Sequence, residues 1–305
     1  MKLDELVSIV NGSLENKNHN KEIFHVTTNP KTIDSEVSLF ISSNENKINE
    51  AIANGVDVVL SDLENQNETI TYIKTNSVNI ALNKILNRTI KSDNASFYLL
   101  NENEIKILKM ILKSKRDIEF LDGDIEENFE SIINSKKHIF ISDKKNLKEL
   151  RDDTKILSHE ENGYIIEDDL LHTTFRVSGY VYQRAKFSPI FFDDLLKVIS
   201  LCKEISQEYQ LEKLNYIDNF KPIKIDEKEF IFSNSLENIY KAIDYVNSDK
   251  RYIKSLVLTP KKVKIGINIK PIYYKDIDDI KNIVHDKYFD YAFVFTNNKN
   301  FIKNY

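Results

Sequence analysis

Glycine is scarce in this chain: six in 305 residues, beside five prolines, one cysteine and no tryptophan. Loops that cradle phosphate oxygens depend on glycine, because backbone N–H groups reach an anion most easily where no Cβ intervenes. The composition therefore argues against a phosphate loop of the usual kind. The single Cys202 cannot close an internal disulfide, which fits a reducing compartment. No apolar run reaches the roughly 18 residues that a membrane-spanning helix needs. The N-terminus reads Met1-Lys2-Leu3-Asp4-Glu5-Leu6, with acids where a signal peptide carries a bare apolar core. A cytoplasmic location is expected, with no membrane span. The N-x-S/T sequences at Asn11, Asn67, Asn87 and Asn94 are then chance matches in an Asn-rich chain.

Charge of one sign is also missing. The net charge of −5 comes from mixed signs, and no broad basic surface is available for a nucleic-acid backbone. The pairs Lys136-Lys137, Lys144-Lys145 and Lys261-Lys262 read as solvated faces. The motifs H-E-x-x-H, G-x-S-x-G, G-x-G-x-x-G and C-x-x-C are absent as well, so no metal and no cofactor is expected. What is present is a soluble globular balance, 41% hydrophobic and 30% charged.

The hydrophobic pattern alternates between strand and helix. Leu3, Leu6, Val7 and Val10 share a helical face that Asn11-Gly12 ends. Strands are expected at Glu22–Val26, Ser38–Ser42, Val56–Leu60 and Thr69–Ile73, with helices over Lys47–Asn54 and Asn76–Leu86. The next segment repeats the alternation. Strands fall at Ser96–Leu100, Ile118–Leu121 and His138–Ser142, and helices at Glu102–Lys115 and Ile125–Asn134. Such βαβ units imply a mainly parallel sheet. Gly163–Ile166 and Thr173–Gly179 suit antiparallel strands, and Pro189–Tyr209 a long helix with Leu195, Val198, Ile199 and Cys202 inward. A last α/β stretch has strands at Phe230–Phe232, Lys254–Leu258 and Tyr291–Phe295, and helices at Ser235–Asn247 and Asp276–Val284.

This order resembles the Mur ligases of peptidoglycan synthesis, most closely the one that adds D-Ala-D-Ala to a UDP-MurNAc-tripeptide. The resemblance rests on Val26-Thr27-Thr28, Leu39-Phe40-Ile41, Ala51-Ile52-Ala53-Asn54-Gly55 and Val56 to Leu60 near the start. It continues in the stretches His172 to Asp226 and Phe230 to Gly266. It implies an α/β protein of three small domains: a Mur-ligase-like N-terminal domain, 1–90; a shortened remnant of the central ATPase domain, 91–221; and a C-terminal α/β domain, 222–305.

The departures from the family are specific. Where the family has a glycine-rich loop with Lys-Thr on ATP phosphates, this chain has Tyr98-Leu99-Leu100-Asn101-Glu102-Asn103-Glu104-Ile105-Lys106. A carboxylate aimed at a triphosphate costs about 1 kcal/mol at contact range even in water. Lys106 reads as a solvated helix lysine rather than a displaced phosphate ligand. The family's Gly-His-Asn becomes Ser188-Pro189-Ile190, and its Gly-Arg becomes Lys224-Ile225-Asp226. Its Asp-Ser-Arg for the uridine nucleotide becomes Asn29-Pro30-Lys31, and lysine lacks the bidentate fork of arginine. The segment expected to carry the Mg²⁺-binding glutamate, the histidine and the modified lysine is missing.

The expected function is a non-catalytic protein-binding or scaffolding relative, with a partner in the cell-wall machinery. The alternatives are a binder of a UDP-MurNAc-type nucleotide sugar, using Thr28, Asn29, Lys31 and Asn44, and a divergent active ligase. Tyr180, Tyr182, Phe187, Phe191 and Phe192 form the candidate partner patch. The acidic pairs at Asp122-Gly123-Asp124, Asp168-Asp169 and Asp193-Asp194 read as helix N-caps. His172 reads as a strand-end residue without identifiable partners, and Cys202 as a core thiol. The tail from Lys299 to Tyr305 reads as a short helix or frayed end.

Overall fold

Strands buried on both faces set the layout of the computed structural model, which describes residues 1–15, 22–33, 38–91, 94–158, 161–225, 228–248, 253–260, 270–285 and 287–296. Asp226, the pair Lys261-Lys262 and the tail from Lys299 lie outside the described residues. The elements in chain order begin with α1 (Leu3–Val10), β1 (Ser13–Glu15), β2 (His25–Thr27), β3 (Ser38–Ile41) and α2 (Glu45–Ala53). Then come β4 (Val58–Ser61), β5 (Thr71–Lys74), α3 (Val78–Thr89), β6 (Ser96–Leu99) and α4 (Glu102–Ile111). Next are β7 (Ile118–Leu121), α5 (Ile125–Asn134), β8 (Ile139–Ser142), α6 (Asn146–Leu150) and β9 (Lys155–Ile156). The strands β10 (Gly163–Asp168), β11 (Thr173–Val177) and β12 (Tyr180–Ala185) precede α7 (Phe192–Glu204). The chain ends with β13 (Lys221–Ile225), β14 (Lys228–Ser233), α8 (Leu236–Ser248), β15 (Ser255–Pro260), β16 (Ile272–Tyr274), α9 (Ile277–Val284) and β17 (Tyr291–Phe295).

Two compact units form: Met1–Asn101 with Lys115–Leu157, and Glu102–Ser114 with Ser158–Tyr305. The first holds a five-stranded sheet, β1-β5-β4-β3-β2, parallel except at β1. Its strand residues alternate between two cores, as a period of two requires. Leu39, Ile41, Val58, Leu60 and Ile73 face α1 and α3, while Phe40, Val59 and Tyr72 face Ile48 and Ala51 of α2. Apolar residues on both faces explain why β3 and β4 read as unbroken hydrophobic runs. A second, wholly parallel sheet, β7-β8-β6-β9, shares the α3 side of this core through Phe97, Leu121 and Phe140.

Arg151 sits at the seam of that shared core, with 1% of its surface exposed. Its Nη1 donates to the carbonyls of Ile90, at 2.8 Å, and Leu86, at 3.4 Å. Leu86 lies in the last turn of α3 and also accepts from the N–H of Ile90, the residue that caps the helix and whose own carbonyl lies beyond the helical ladder. Nε and Nη2 form a two-pronged pair with Asp153 at 2.9 and 2.7 Å. The guanidinium lies 4.6 Å from the centroid of the Phe97 ring on β6.

The second unit contains the antiparallel sheet β10-β11-β12 and a mixed sheet, β13-β14-β17-β15-β16. In the mixed sheet β13 pairs antiparallel with β14 and the other pairings are parallel. Its core gathers Phe230, Phe232, Leu258, Tyr274, Ile280, Ala292 and Val294. The α/β class, the parallel pairings and the antiparallel pair β10–β11 agree with the sequence reading. The long helix expected from Pro189 is shorter. Pro189–Phe191 is a 3-10 turn, and α7 stops at Glu204 because Ser206 takes a left-handed φ of 52°. No described helix is long and apolar enough to cross a membrane.

Two outcomes follow from these cores. Arg151→Met should destabilise the protein by roughly 3 kcal/mol in urea unfolding, since it takes the donor from the Ile90 carbonyl and the guanidinium from Asp153. Cys202 is fully buried, and burial pushes its thiol up to about 12. It should therefore resist a thiol reagent such as DTNB at neutral pH until the second unit unfolds. Rapid labelling of the native protein would contradict this packing.

Candidate functional site

In open parallel sheets the crevice at the carboxyl ends of the strands is the usual place for a ligand. Here those ends belong to β2 and β3, which are adjacent and parallel. They present the hydroxyls of Thr27, Thr28 and Ser42, the backbone N–H groups of Thr28 and Ser43, and the Lys47 ammonium. Asn44 caps α2, accepting from the N–H groups of Asn46 and Lys47 at 3.0 and 3.2 Å. Asn29 caps the short turn Pro30–Thr32 by accepting from Lys31 N–H at 3.0 Å. The fold thus brings Thr28, Asn29, Lys31 and Asn44 to one end of the sheet. The side-chain oxygens of both asparagines serve their own turns, and Lys31 is exposed.

Two glutamates of α5, one helical turn apart, occupy the remaining donors. Glu130 accepts from Thr28 N–H at 2.8 Å, Thr27 Oγ1 at 3.0 Å and Thr32 Oγ1 at 3.4 Å. Glu126 accepts from Ser42 Oγ at 2.9 Å and Ser43 N–H at 3.2 Å, and pairs with Lys47 Nζ at 2.7 Å. Burial works against the charge of Lys47, but the bond and charge of Glu126, with Asp124 and Glu127 near, hold its pKa above the ordinary value. Thr28 Oγ1 donates to the Glu126 carbonyl at 2.8 Å. These partnerships were not legible in the sequence, because 98 or more residues separate Thr28 from its acceptors. Their only local signal was the i, i+4 spacing of Glu126 and Glu130.

Asp124 makes a complete capping box with Glu127, as its position before α5 suggested. The other acidic pairs differ from expectation. Asp169 caps no helix; its Oδ1 closes the turn between β10 and β11 by accepting from Leu171 and His172 N–H, both at 2.8 Å. Asp193 and Asp194 lie in the first turn of α7, whose N-cap is Phe191.

The first turn of α4 stands where the resemblance placed a phosphate loop, and it faces protein. Asn103 and Glu104 are 7% and 5% exposed. Asn103 and Asn238 exchange amide bonds of 3.0 and 3.2 Å, and Asn219 Nδ2 donates to Asn103 Oδ1 at 3.4 Å. Glu104 lies 3.6 Å from Lys197 Nζ. Lys106 pairs with Glu102 along the helix at 2.6 Å, as a partly solvated helix lysine does.

His172 has partners after all. Its Nδ1 lies 3.1 Å from Asp169 Oδ1, and its Nε2 is 3.0 Å from Tyr216 Oη. Burial, with the charges of Glu229 and Asp169, raises the Tyr216 pKa, so the phenol keeps its proton beside Nε2. Such a chain orients the imidazole, but a phenol covers the nitrogen a substrate would need. The candidate partner patch also changes. Phe187, Phe191 and Phe192 are core residues at 0%, 1% and 9% exposure. They pack in a string of rings with Phe175 and Phe220, which leaves only Tyr180 and the half-buried Tyr182 toward solvent. Among the described residues, no three His, Cys, Asp or Glu side chains come together as a metal site would need.

No protein-family model matches the sequence, and no curated protein does. Solved structures do. MurF from Acinetobacter baumannii superposes with a TM-score of 0.58 at 10% identity, over 98% of this chain and 96% of that one. MurF ligase from Thermotoga maritima, solved in complex with ADP, gives 0.57 at 11% identity, over 92% and 95%. At such identities the likeness speaks for the fold, and it extends over nearly the whole length of both chains. The chain has the Mur ligase fold, in its MurF-like form.

Proposed function

We propose that this protein is a non-catalytic Mur-ligase-like factor of the cytoplasm that acts by binding another protein of peptidoglycan synthesis or cell-shape control. The observation that carries the reading is the first turn of α4. A segment that holds ATP phosphates in the ligases is here free of glycine, and two of its side chains, Asn103 and Glu104, are buried beside Asn238 and Lys197. A triphosphate there would meet the Glu104 carboxylate, and binding it would require breaking a buried amide pair.

The rival reading, a binder of a UDP-MurNAc-type sugar, has a specific obstacle. The groups at the ends of β2 and β3 that could hold a diphosphate are engaged by Glu126 and Glu130. An incoming anion would have to displace two carboxylates from several charge-assisted bonds. A divergent ligase would need a nucleophile, a base and a phosphate anchor together, and the residues described above supply no such set.

Thermal unfolding with Mg-ATP, and separately with a UDP-MurNAc-peptide, tests the proposal. A ligand at 100 times its dissociation constant adds about 2.7 kcal/mol, a shift of a few degrees. The expected result is no shift with either compound and no ATP turnover with an amino-acid or peptide acceptor. A shift with Mg-ATP, or measurable turnover, would sink the proposal. A shift with the UDP compound alone would transfer the function to sugar-nucleotide binding.

A further inference from the structure

The dipeptide Asn-Gly occurs at Asn11, Asn54 and Asn162. It is the setting in which asparagine is most open to self-modification, because glycine has no Cβ to keep its backbone nitrogen from the preceding side-chain amide. The fold treats the three sites differently. Gly12 N–H donates to the Val7 carbonyl at 3.0 Å, and the Asn11 amide, oriented to satisfy both its ends, bonds Ser8 O and Lys84 Nζ, each at 3.0 Å. Gly55 N–H donates to the Ile52 carbonyl at 3.0 Å, and Asn54 Nδ2 to the Pro30 carbonyl at 2.9 Å. At both sites the attacking nitrogen and the amide it would attack are held.

Asn162 is exposed, and its side-chain amide has no hydrogen-bond partner among the described residues. Gly163 opens β10, which lies at one end of its three-stranded sheet. Ser178 and Gly179, at φ 49° and 86°, make the type I′ turn of a tight hairpin. The flanking pair Val177–Tyr180 is therefore hydrogen-bonded, and Val177 points its N–H and C=O at β12. By alternation Arg176 points its own at β10, where it faces Tyr164. The turn at the other end of β11 agrees: His172 C=O accepts from Asp169 N–H at 3.0 Å, which sets His172, Thr174 and Arg176 toward β10. Tyr164 thus serves the ladder, and the N–H of Gly163, one residue earlier, points out of the sheet at its edge.

We propose that Asn162 is a self-modification site, at which the Gly163 nitrogen attacks the Asn162 side-chain carbon. The nitrogen gives its proton to solvent base, the new C–N bond closes a succinimide, and the side-chain nitrogen leaves as ammonia. Water then opens the ring at either carbonyl, giving aspartate or isoaspartate. Both products place a carboxylate next to Glu161, whose Oε1 accepts from Ser178 Oγ at 2.9 Å and whose Oε2 pairs with Lys203. Isoaspartate also adds a methylene to the main chain just ahead of β10. The strand has little room to shift, because a carbon added at Gly163 would lie 2.7 Å from Leu196 Cδ2 and 2.8 Å from Val177 Cγ2. The modification therefore brings charge and strain to the place where β10, the β11–β12 turn and α7 meet.

The test is peptide mass spectrometry of the full chain held at mildly alkaline pH, native and in urea, with isoaspartate read by enzymatic methylation. Each held site reacts only after two hydrogen bonds open, which lowers its reactive population at least about tenfold. In the native protein Asn162 should convert faster than Asn11 and Asn54 by that factor, with both products formed, and in urea the three rates should converge. Asn162→Gln, whose longer side chain closes a larger ring far more slowly, should stay unmodified at that position. Native conversion of Asn162 no faster than at the other two sites would overturn the proposal. So would aspartate as the sole product, which marks direct hydrolysis, or a difference in rate that persists unchanged in urea.

Discussion

A single buried cation holds the first unit together. Arg151 has almost no contact with water, yet its charge is matched on every side: a carboxylate in its own turn, two helix-terminal carbonyls, and the face of an aromatic ring. Each partner belongs to a different part of the unit: Asp153 to the turn after α6, Leu86 and Ile90 to the end of α3, and Phe97 to the second sheet. The α3 helix can lie over both sheets only if its last carbonyls find donors inside the core. The arginine supplies them, and a lysine could not fork in the same plane.

The frame was legible in the sequence because its signals are local. Hydrophobic periods of two and 3.6 located β2 to β5 of the first sheet and the helices α1, α3 and α5, and Asp124 announced its helix. The strands β1, β9, β12, β13 and β16 escaped; β1, β9 and β16 are two or three residues long, too short to show a period. The site was less legible. Phe187, Phe191 and Phe192 look on paper like an exposed cluster, and only the packing of α7 against β11 decides that they face inward. His172 seemed isolated because Tyr216 lies 44 residues away.

At the ends of β2 and β3 the protein has become its own ligand. A row of N–H and O–H donors at strand ends is costly if left without acceptors, whatever its origin. Helix α5 meets that cost with Glu126 and Glu130, and in doing so it fixes the loops after both strands. The two carboxylates give the first unit a polar clasp at the ends of β2 and β3. The same bonds that close a crevice thus rigidify the surface around it.

The reciprocal amide pair of Asn103 and Asn238 has a consequence for synthesis. It joins positions 135 residues apart, and Asn103 sits in α4, a short insertion of the second unit within the span of the first. Residues 1–157 can emerge from the ribosome and close their core while α4 still lacks the residues it belongs with. The helix must wait for α7, which carries Lys197, and then for α8 and Asn238. The order in which the chain is made therefore builds in a late docking event, and a nascent chain stalled before residue 192 would display the amphipathic face of α4 to whatever chaperone is near.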